Sequence, residues 1–195
     1  MLNKLIGLRE EAKLRGEPVL RDKSFELLLE TVQKKKPERI LEIGVNLGYS
    51  GIGMLISSPT SSLTGIEIDE EKANLAKENY KIFGVEDRAK IFLGDASEII
   101  PVLSGVYDFI FLDGPKGHYH QYLPFLLNAL SIGGVLFADN VLFRGYVDGS
   151  VKTPHRYQTT KHGMEKFLEG VSTNPSLKTT LYKMEDGVSI TEKLF

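Results

Sequence analysis

Short apolar segments alternate with segments of helical periodicity over most of the chain, and this alternation constrains the fold more than any other feature. Each apolar segment has the length of a β-strand and is nearly continuous in apolar character, which is typical of parallel strands covered on both faces. The five segments are RILEI (39–43), LTGIE (63–67), AKIFL (89–93), DFIFL (108–112) and GVLFA (134–138). The alternation predicts an α/β fold with an open, doubly wound parallel sheet of the Rossmann type.

Local signals predict where the intervening helices begin and end. A short helix is expected from Gly48 to Ser58, and a longer one between Asp69 as its N-cap and Gly84 as its terminator. Two further helices are expected, one over ASEIIPVL after the third strand and one over YHQYLPFLLNAL after the fourth. The resulting order of strand and helix supports the doubly wound sheet.

The two ends of the chain depart from this rhythm. Residues 177–184 and 188–194 flank Glu185-Asp186-Gly187, and Asp-Gly between two alternating runs is a strong hairpin signal. The sheet should therefore finish with an antiparallel pair. Residues 1–36 are expected to form a helical cap in two pieces broken at Gly16–Pro18, and residues 142–156 a loop.

Composition limits the domain count and the classes of site. The 195 residues suit one domain spanning 1–195. Cysteine is absent, which excludes disulfides and thiolate metal sites. The net charge of −2 provides no global field for nucleic acid, although a local basic patch remains open. No segment resembles a signal peptide or a membrane span, so a cytoplasmic location without membrane attachment is expected.

A glycine-containing turn and three acidic residues follow the first three strands. Gly44 and Gly48 lie in the turn after the first strand, where a ligand can approach the backbone and the helix N-terminus. Glu42 precedes that turn, Glu67 ends the second strand, and Asp95 follows the third. A carboxylate at Glu67 can accept hydrogen bonds from ribose hydroxyls, and one at Asp95 from an adenine amino group. The pattern predicts a nucleoside cofactor.

The choice of cofactor depends on spacing and charge. The glycines follow G-x-x-x-G instead of the G-x-G-x-x-G of dinucleotide sites. Glu42 would oppose a pyrophosphate but suits a cationic amino acid and a sulfonium, which favours S-adenosylmethionine over a nicotinamide dinucleotide. Each feature alone has a local alternative, since the glycines could only turn the chain, Glu67 could only cap, and Asp95 could be a helix N-cap. Three such features at successive strand ends favour a ligand site.

Oxygen-bearing side chains also follow the next two strands. Asp113 comes directly after the fourth strand, and Asp139 and Asn140 follow the fifth. Since these strands should be neighbours, the three side chains are expected at one edge of the sheet. They suit Mg²⁺ or Mn²⁺ and, less specifically, Ca²⁺. Lys116, three residues after Asp113, could accept the proton of an acceptor hydroxyl that such an ion holds and acidifies. The alternatives are a solvated loop lysine and a turn at Asp139-Asn140.

These stretches together resemble the metal-dependent class I S-adenosylmethionine O-methyltransferases, the family of catechol and caffeoyl-CoA O-methyltransferases. The resemblance runs from about Pro18 to the C-terminal hairpin. It is carried by RILEIGVNLGYSGIGM, LTGIEIDEEKANLAKENY, GDASEIIPVL, YDFIFLDGPKGHYHQYL, GGVLFADNVLFRGYV and MEDGVSITEK. It implies a seven-stranded sheet with an antiparallel last strand, a homodimer, and methyl transfer to a metal-bound hydroxyl oxygen.

The resemblance also assigns residues. It implies metal ligands at Asp113, Asp139 and Asn140 and a general base at Lys116. The implied cofactor-binding residues are Glu42, Gly44, Ser50, Glu67, Asp95, Ala96 and Asp113. An intact set of this kind argues against a third possibility, a non-catalytic protein that only binds S-adenosylmethionine.

The acceptor is less well defined than the donor. Gly114 stands where catechol O-methyltransferase has a histidine, and its catechol-binding glutamate has no match near the hairpin. The compact N-terminal region and ADNVLFRG are similar to a bacterial branch that methylates wobble 5-hydroxyuridine in tRNA. Basic residues in and after the 142–156 loop could meet the phosphates of a tRNA anticodon loop or a coenzyme A tail, or could simply be solvated: Arg144, Lys152, Arg156 and Lys161. Both a small phenolic or catechol-like molecule and tRNA therefore stay open.

Overall fold

The strands in the first half of the chain have nearly the predicted bounds. The structure is a computed structural model that describes residues 2–195, so Met1 of the predicted cap lies outside the described residues. The chain divides into two compact units, one ending at Ala96 and one beginning at Ser97. The first contains α1 (Leu2–Leu14), α2 (Asp22–Lys35), β1 (Arg39–Ile43), α3 (Tyr49–Ser57), β2 (Ser62–Glu67), α4 (Glu70–Phe83) and β3 (Ala89–Leu93). Here β2 pairs in parallel with both β1 and β3.

The capping signals of α4 are confirmed. The Asp69 side chain accepts hydrogen bonds from the backbone N–H of Glu71 and of Lys72, at 3.0 and 3.2 Å. Gly84 ends the helix with a left-handed φ of 66°, which glycine adopts without a Cβ penalty. The helix lays its buried face, including Ala76 and Tyr80, onto the first unit's core.

The second unit contains the remaining strands and longer helices, together with short 3-10 helices such as Lys116–His118. The strands and longer helices are β4 (Tyr107–Leu112), α6 (Tyr119–Ala129), β5 (Leu130–Asp139), α7 (Gln158–Thr173), β6 (Leu177–Tyr182) and β7 (Val188–Lys193); a short helix, α5 (Ala96–Ile99), precedes them. β4 pairs in parallel with β5, whereas β7 is antiparallel to both β5 and β6. Across the described residues the sheet has seven strands in the order β3-β2-β1-β4-β5-β7-β6. The predicted Rossmann-like, mostly parallel sheet with an antiparallel last strand is confirmed.

Three details differ from the prediction. β5 begins at Leu130, directly after α6, because its pairing with β4 tolerates an irregularity in register between Tyr107 and Phe109. β3 is an edge strand whose residues are exposed or half-buried, so the expectation that it is covered on both faces is wrong. α7 was not expected from the sequence, although Met164, Phe167 and Val171 form its buried stripe.

Three further expectations concern membrane spans, the N-terminal helices and the number of domains. Among the described residues, no helix is long and apolar enough to cross a membrane. The expected two N-terminal helices are present among the described residues, with a break between Leu14 and Asp22, but that residues 1–36 act as a cap stays a prediction. That 1–195 forms one domain stays a prediction.

Candidate active site

The turn after β1 has a backbone that few residue types adopt readily. Gly44, Asn46 and Gly48 all have left-handed φ angles, of 89°, 50° and 80°. Gly44 N–H donates to Ile66 O at 3.0 Å, and Gly48 N–H donates to Val45 O at 2.9 Å. Glycine at two of the three positions lets the chain reverse tightly into α3. The turn thereby brings the N-terminus of α3 beside the end of β1.

Glu42 lies fully buried beneath this helix N-terminus. Ser50 Oγ donates a hydrogen bond to Glu42 Oε1. Gly51 leaves room for the carboxylate, since a Cβ there would lie 2.7 Å from Glu42 Oε2. A buried carboxylate is tolerated here because a hydroxyl and the positive end of a helix dipole face it.

Glu67 ties the turn to the end of β2. Its Oε2 accepts the backbone N–H of Asn46 at 2.7 Å, and its Oε1 accepts those of Ile68 and Asp69 at 2.9 and 3.0 Å. The carboxylate is nearly buried, with 8% of the residue exposed. Glu67 therefore caps backbone N–H groups of the turn and of the segment after β2, as considered above. The same three hydrogen bonds fix its side chain beside the turn.

Asp95 and Ala96 complete the row at the first unit's strand ends. Gly94 N–H donates to Glu67 O at 2.8 Å, which aligns the end of β3 with that of β2. Asp95 follows, half-buried, and the buried Ala96 begins α5. The acidic residues Glu42, Glu67 and Asp95 thus occupy the carboxyl ends of three adjacent strands. This arrangement fits the ribose, adenine and cationic amino-acid parts of S-adenosylmethionine.

Tyr80 contributes to this region and was missed by sequence reasoning. Its ring packs against Gly48, where a Cβ would lie 2.8 Å from Tyr80 Cε1. Its hydroxyl is fully buried near Glu42 and has no hydrogen-bond partner among the described residues. Burial and the negative charge of Glu42 raise the pKa of Tyr80 well above its ordinary value. The only sequence signal is its place on the apolar stripe of α4, which indicates a core residue.

In the second unit, strand register brings the predicted metal ligands to one edge. Leu112 pairs with Ala138, so Asp113 and Asp139 are the next residues on neighbouring parallel strands. Asp139 is buried, with 2% exposed, and Asn140 follows it with a left-handed φ of 56°. Within residues 2–195 no group of three His, Cys, Asp or Glu residues could hold a metal. The predicted set has two carboxylates and one amide, a donor set that suits Mg²⁺ when water or substrate oxygens complete it.

Lys116 contacts Asp113 directly. Its Nζ donates to Asp113 Oδ1 and, at 3.1 Å, to the hydroxyl of Tyr119. Burial lowers the pKa of Lys116, but the Asp113 carboxylate and Tyr119 raise it by more, so the net pKa lies above its usual value. With only 18% of the side chain exposed, Lys116 is not the solvated loop lysine considered as an alternative.

Tyr119 joins the ends of the two strands that carry these residues. Its hydroxyl donates towards Leu112 O at 2.9 Å and Asp139 O at 3.3 Å. Its ring packs edge-on against Phe167, with centroids 5.4 Å apart. Tyr119 is fully buried, so it supports Lys116 from the core and does not stack on a substrate.

The basic residues of the 142–156 loop form a smaller group than expected. The Arg144 and Arg156 guanidiniums lie 5.6 and 4.7 Å from the centroid of the Tyr157 ring. Lys161 instead pairs with Glu165 on its own helix. Of these four basic residues, Arg144, Lys152 and Arg156 are exposed, whereas Lys161 is half-buried.

Comparison with known proteins places this geometry in a family. A family model described as O-methyltransferase matches residues 18–194. Catechol O-methyltransferase of Sus scrofa is 32% identical over 165 residues, covering 78% of this chain and 86% of that protein. Caffeoyl-CoA O-methyltransferase of Stellaria longipes is 32% identical over 139 residues, covering 68% of this chain and only 56% of that protein.

A solved structure agrees with both the fold and the cofactor. The SAH-bound methyltransferase of Podospora anserina superposes with a TM-score of 0.87 at 26% identity, covering 98% of this chain and 88% of that chain. SAH is what remains of S-adenosylmethionine after methyl transfer. With the family match over residues 18–194, the chain belongs to the O-methyltransferase family and is an S-adenosylmethionine-dependent O-methyltransferase of the caffeoyl-CoA and catechol type.

Proposed function

We propose that this enzyme methylates a hydroxyl oxygen of a small phenolic or catechol-like molecule with the help of a divalent cation. The observation that carries the proposal is the β4–β5 register, which places Asp113 and Asp139 next to each other with Lys116 on Asp113. Catechol, named in the Sus scrofa relative, carries two adjacent hydroxyls that could complete the coordination of a cation held by two carboxylates and an amide.

Asp113, Asp139 and Asn140 are the proposed ligands, and Mg²⁺ is the proposed ion, with Mn²⁺ or Ca²⁺ as substitutes. Such an ion would lower the pKa of an acceptor hydroxyl and fix its oxygen. The buried Asp139 and the left-handed backbone of Asn140 support a preformed site, because both restrict where the two side chains can go.

Lys116 is the proposed general base. A base must be neutral when the proton leaves the acceptor, and the Asp113 carboxylate opposes this by stabilising the ammonium. A cation held by Asp113 would draw on the same carboxylate charge, so Lys116 would lose part of that stabilisation and its pKa would fall. Tyr119 keeps the Lys116 Nζ in place throughout, since its own hydroxyl is anchored on the strand-end carbonyl of Leu112.

The first unit is proposed to bind the methyl donor. Glu42 and Glu67 are held rigidly by Ser50 and by three backbone amides, so they offer fixed acceptors to a cationic amino acid and to ribose hydroxyls. When bound there, S-adenosylmethionine would offer its sulfonium methyl to the acceptor oxygen, and the new C–O bond would form as the C–S bond breaks and S-adenosylhomocysteine leaves. The proposed binding residues of this unit are Glu42, Gly44, Ser50, Glu67, Asp95 and Ala96, and Asp113 of the second unit is also a proposed cofactor contact.

A methyl-transfer assay with matched acceptors tests this function. Catechol should be methylated in the presence of Mg²⁺, EDTA should abolish the reaction, and phenol, which lacks the second oxygen, should react far more slowly. Turnover of catechol that persists near its full rate in EDTA would overturn the metal mechanism. A tRNA carrying wobble 5-hydroxyuridine is included, and its methylation in place of catechol would reassign the acceptor to RNA.

We also propose that the protein is a homodimer. Sedimentation velocity should show a species of twice the mass of one chain, and a single monomeric species would contradict this.

A further inference from the structure

The segment that follows Asp139 has an unusual backbone. Asn140, Phe143 and Arg144 have left-handed φ angles of 56°, 46° and 60°. Residues other than glycine rarely adopt such angles, and they persist only where surrounding structure enforces them. Three within five positions, directly after a proposed metal ligand, raise the question of what enforces them.

The turn between β6 and β7 supplies the constraint. Val141 N–H donates to Gly187 O at 3.0 Å, and Leu142 N–H donates to Asp186 O at 2.9 Å. Arg144 N–H donates to the Asp186 carboxylate, at Oδ1. These three bonds join residues 141–144 to Asp186 and Gly187, and we call this set of contacts the hairpin clamp.

Packing makes the hairpin clamp tight. Gly187 has a φ of 81°, and a Cβ on it would lie 2.4 Å from Leu142 Cγ. Gly187 N–H also donates to Met184 O at 2.8 Å, which closes the hairpin. Asp186 itself is buried, with 8% exposed, and its Oδ1 accepts the loop backbone N–H of Arg144.

The hairpin clamp is continuous with the strand that carries Asp139. Val188, the residue after Gly187, pairs with Asp139 across the antiparallel β5–β7 ladder. Asn140 lies between that pair and the first bond of the hairpin clamp, at Val141. Its backbone is therefore fixed on both sides by the same hairpin.

We propose that Asp186 is a positioning residue for the metal site, holding Asn140 and Asp139 in the geometry that binds a divalent cation. The inference rests on the proposed function, because it assumes that these two residues are ligands. Asp186 acts only through the loop backbone. Supporting groups of this kind typically change metal affinity by about 10- to 100-fold when removed.

The test measures Mn²⁺ binding by calorimetry, using Mn²⁺ as the probe for the cation site. Asp186→Ala should weaken Mn²⁺ binding by about 10-fold, while the affinity for S-adenosylmethionine stays within about twofold of wild type. Asp186→Asn keeps an oxygen acceptor for Arg144 N–H and should lose only about threefold, since the bond loses its charge assistance. Asp148→Ala removes an exposed carboxylate of the same loop, bonded only locally to Ser150, and should bind Mn²⁺ like wild type.

Each outcome separates the inference from the function on which it rests. If wild-type protein does not bind Mn²⁺, the proposed metal site fails. If wild type binds and folded Asp186→Ala binds within twofold of it, the positioning role fails. Equal losses of Mn²⁺ and S-adenosylmethionine affinity would indicate general structural damage and would also overturn it. Should Asp186→Ala not fold, Asp186→Asn decides alone, and undiminished binding refutes the role.

Discussion

The two units hold their acidic side chains in different ways. In the first, Glu42 and Glu67 are fixed by a serine hydroxyl and by backbone amides, all of them neutral donors of the chain itself. In the second, Asp113 is paired with the ammonium of Lys116. Neutral donors leave the carboxylates with their negative charge, which suits a cationic cofactor. The Lys116 ammonium instead neutralises the Asp113 carboxylate, unless another cation takes its place.

This contrast predicts that the proposed cofactor site in the first unit is preorganised. In the second unit, the charges of Asp113 and Lys116 should rearrange when a cation binds. The β4–β5 edge should respond strongly to substitutions that alter charge, whereas the turn after β1 should respond more to loss of single hydrogen bonds. Substitutions in each unit can break or sharpen this distinction.

Asp139→Ala should have the largest effect. Removing a buried carboxylate from the proposed cation site should lower kcat by about 100-fold or more and abolish Mn²⁺ binding, with S-adenosylmethionine affinity preserved. Steady-state kinetics and calorimetry measure these quantities. The matched control is Asp148→Ala, an exposed carboxylate of the neighbouring loop. Near-wild-type turnover by Asp139→Ala would contradict a cation site at the end of β5, and with it the proposed contrast between the two units.

Lys116→Ala should lower kcat by about 100-fold through loss of the base. It should also strengthen Mn²⁺ binding by a few-fold, because Asp113 no longer has a competing cation beside it. The opposite directions of the two effects distinguish a base from a structural lysine. Lys178→Ala, an exposed lysine of β6 in the same unit, is the control. Weaker Mn²⁺ binding by Lys116→Ala would contradict the idea that the Lys116 ammonium and the cation compete for the Asp113 carboxylate.

Glu67→Gln should weaken S-adenosylmethionine binding by about 10-fold and leave Mn²⁺ affinity unchanged. The amide keeps the shape of the side chain but loses its charge, and it replaces one of two oxygens that accept backbone N–H groups with an N–H donor. Calorimetry on the folded variant gives both affinities. Glu71→Gln, on the exposed first turn of α4, should match wild type. An unaltered cofactor affinity would mean that Glu67 serves only the backbone.

Tyr80→Phe should have the smallest effect at neutral pH, within about 1 kcal/mol of the wild-type free energy of unfolding, because the lost hydroxyl has no partner among the described residues. Its effect should grow above pH 10. The folded-state pKa of Tyr80 is raised, so the unfolded state releases its proton first and stability falls as pH rises. Urea unfolding from pH 8 to 11 should show a shallower loss for Tyr80→Phe than for wild type or Tyr182→Phe. Identical slopes would contradict burial of the phenol.

Elements with local signals were predictable from the sequence, whereas those defined by distant contacts were not. Asp69 and Gly84 bound α4 through chemistry within a few residues. The early start of β5 depends on its pairing with β4, which no local pattern in residues 130–134 encodes.

The same distinction applies to the site. Strand-end acids such as Glu67 and Asp113 could be identified because parallel strands present their carboxyl ends together. Asp186 signalled only a turn, since its contact with Arg144 joins positions 42 residues apart. Tyr119 and Tyr80 had only the periodicity of core residues, and their roles arise from what their hydroxyls approach after folding.

The hairpin clamp has a consequence for the order in which the enzyme is completed during synthesis. The strands and turns around Glu42 and Glu67 lie before Ala96. The loop after Asp139 can form its hydrogen bond to Gly187 only after residue 187 has been synthesised. At roughly 5–20 residues per second, that interval is on the order of 5–20 s. The segment that we propose to bind the methyl donor is therefore synthesised several seconds before Gly187, which closes the loop after Asp139.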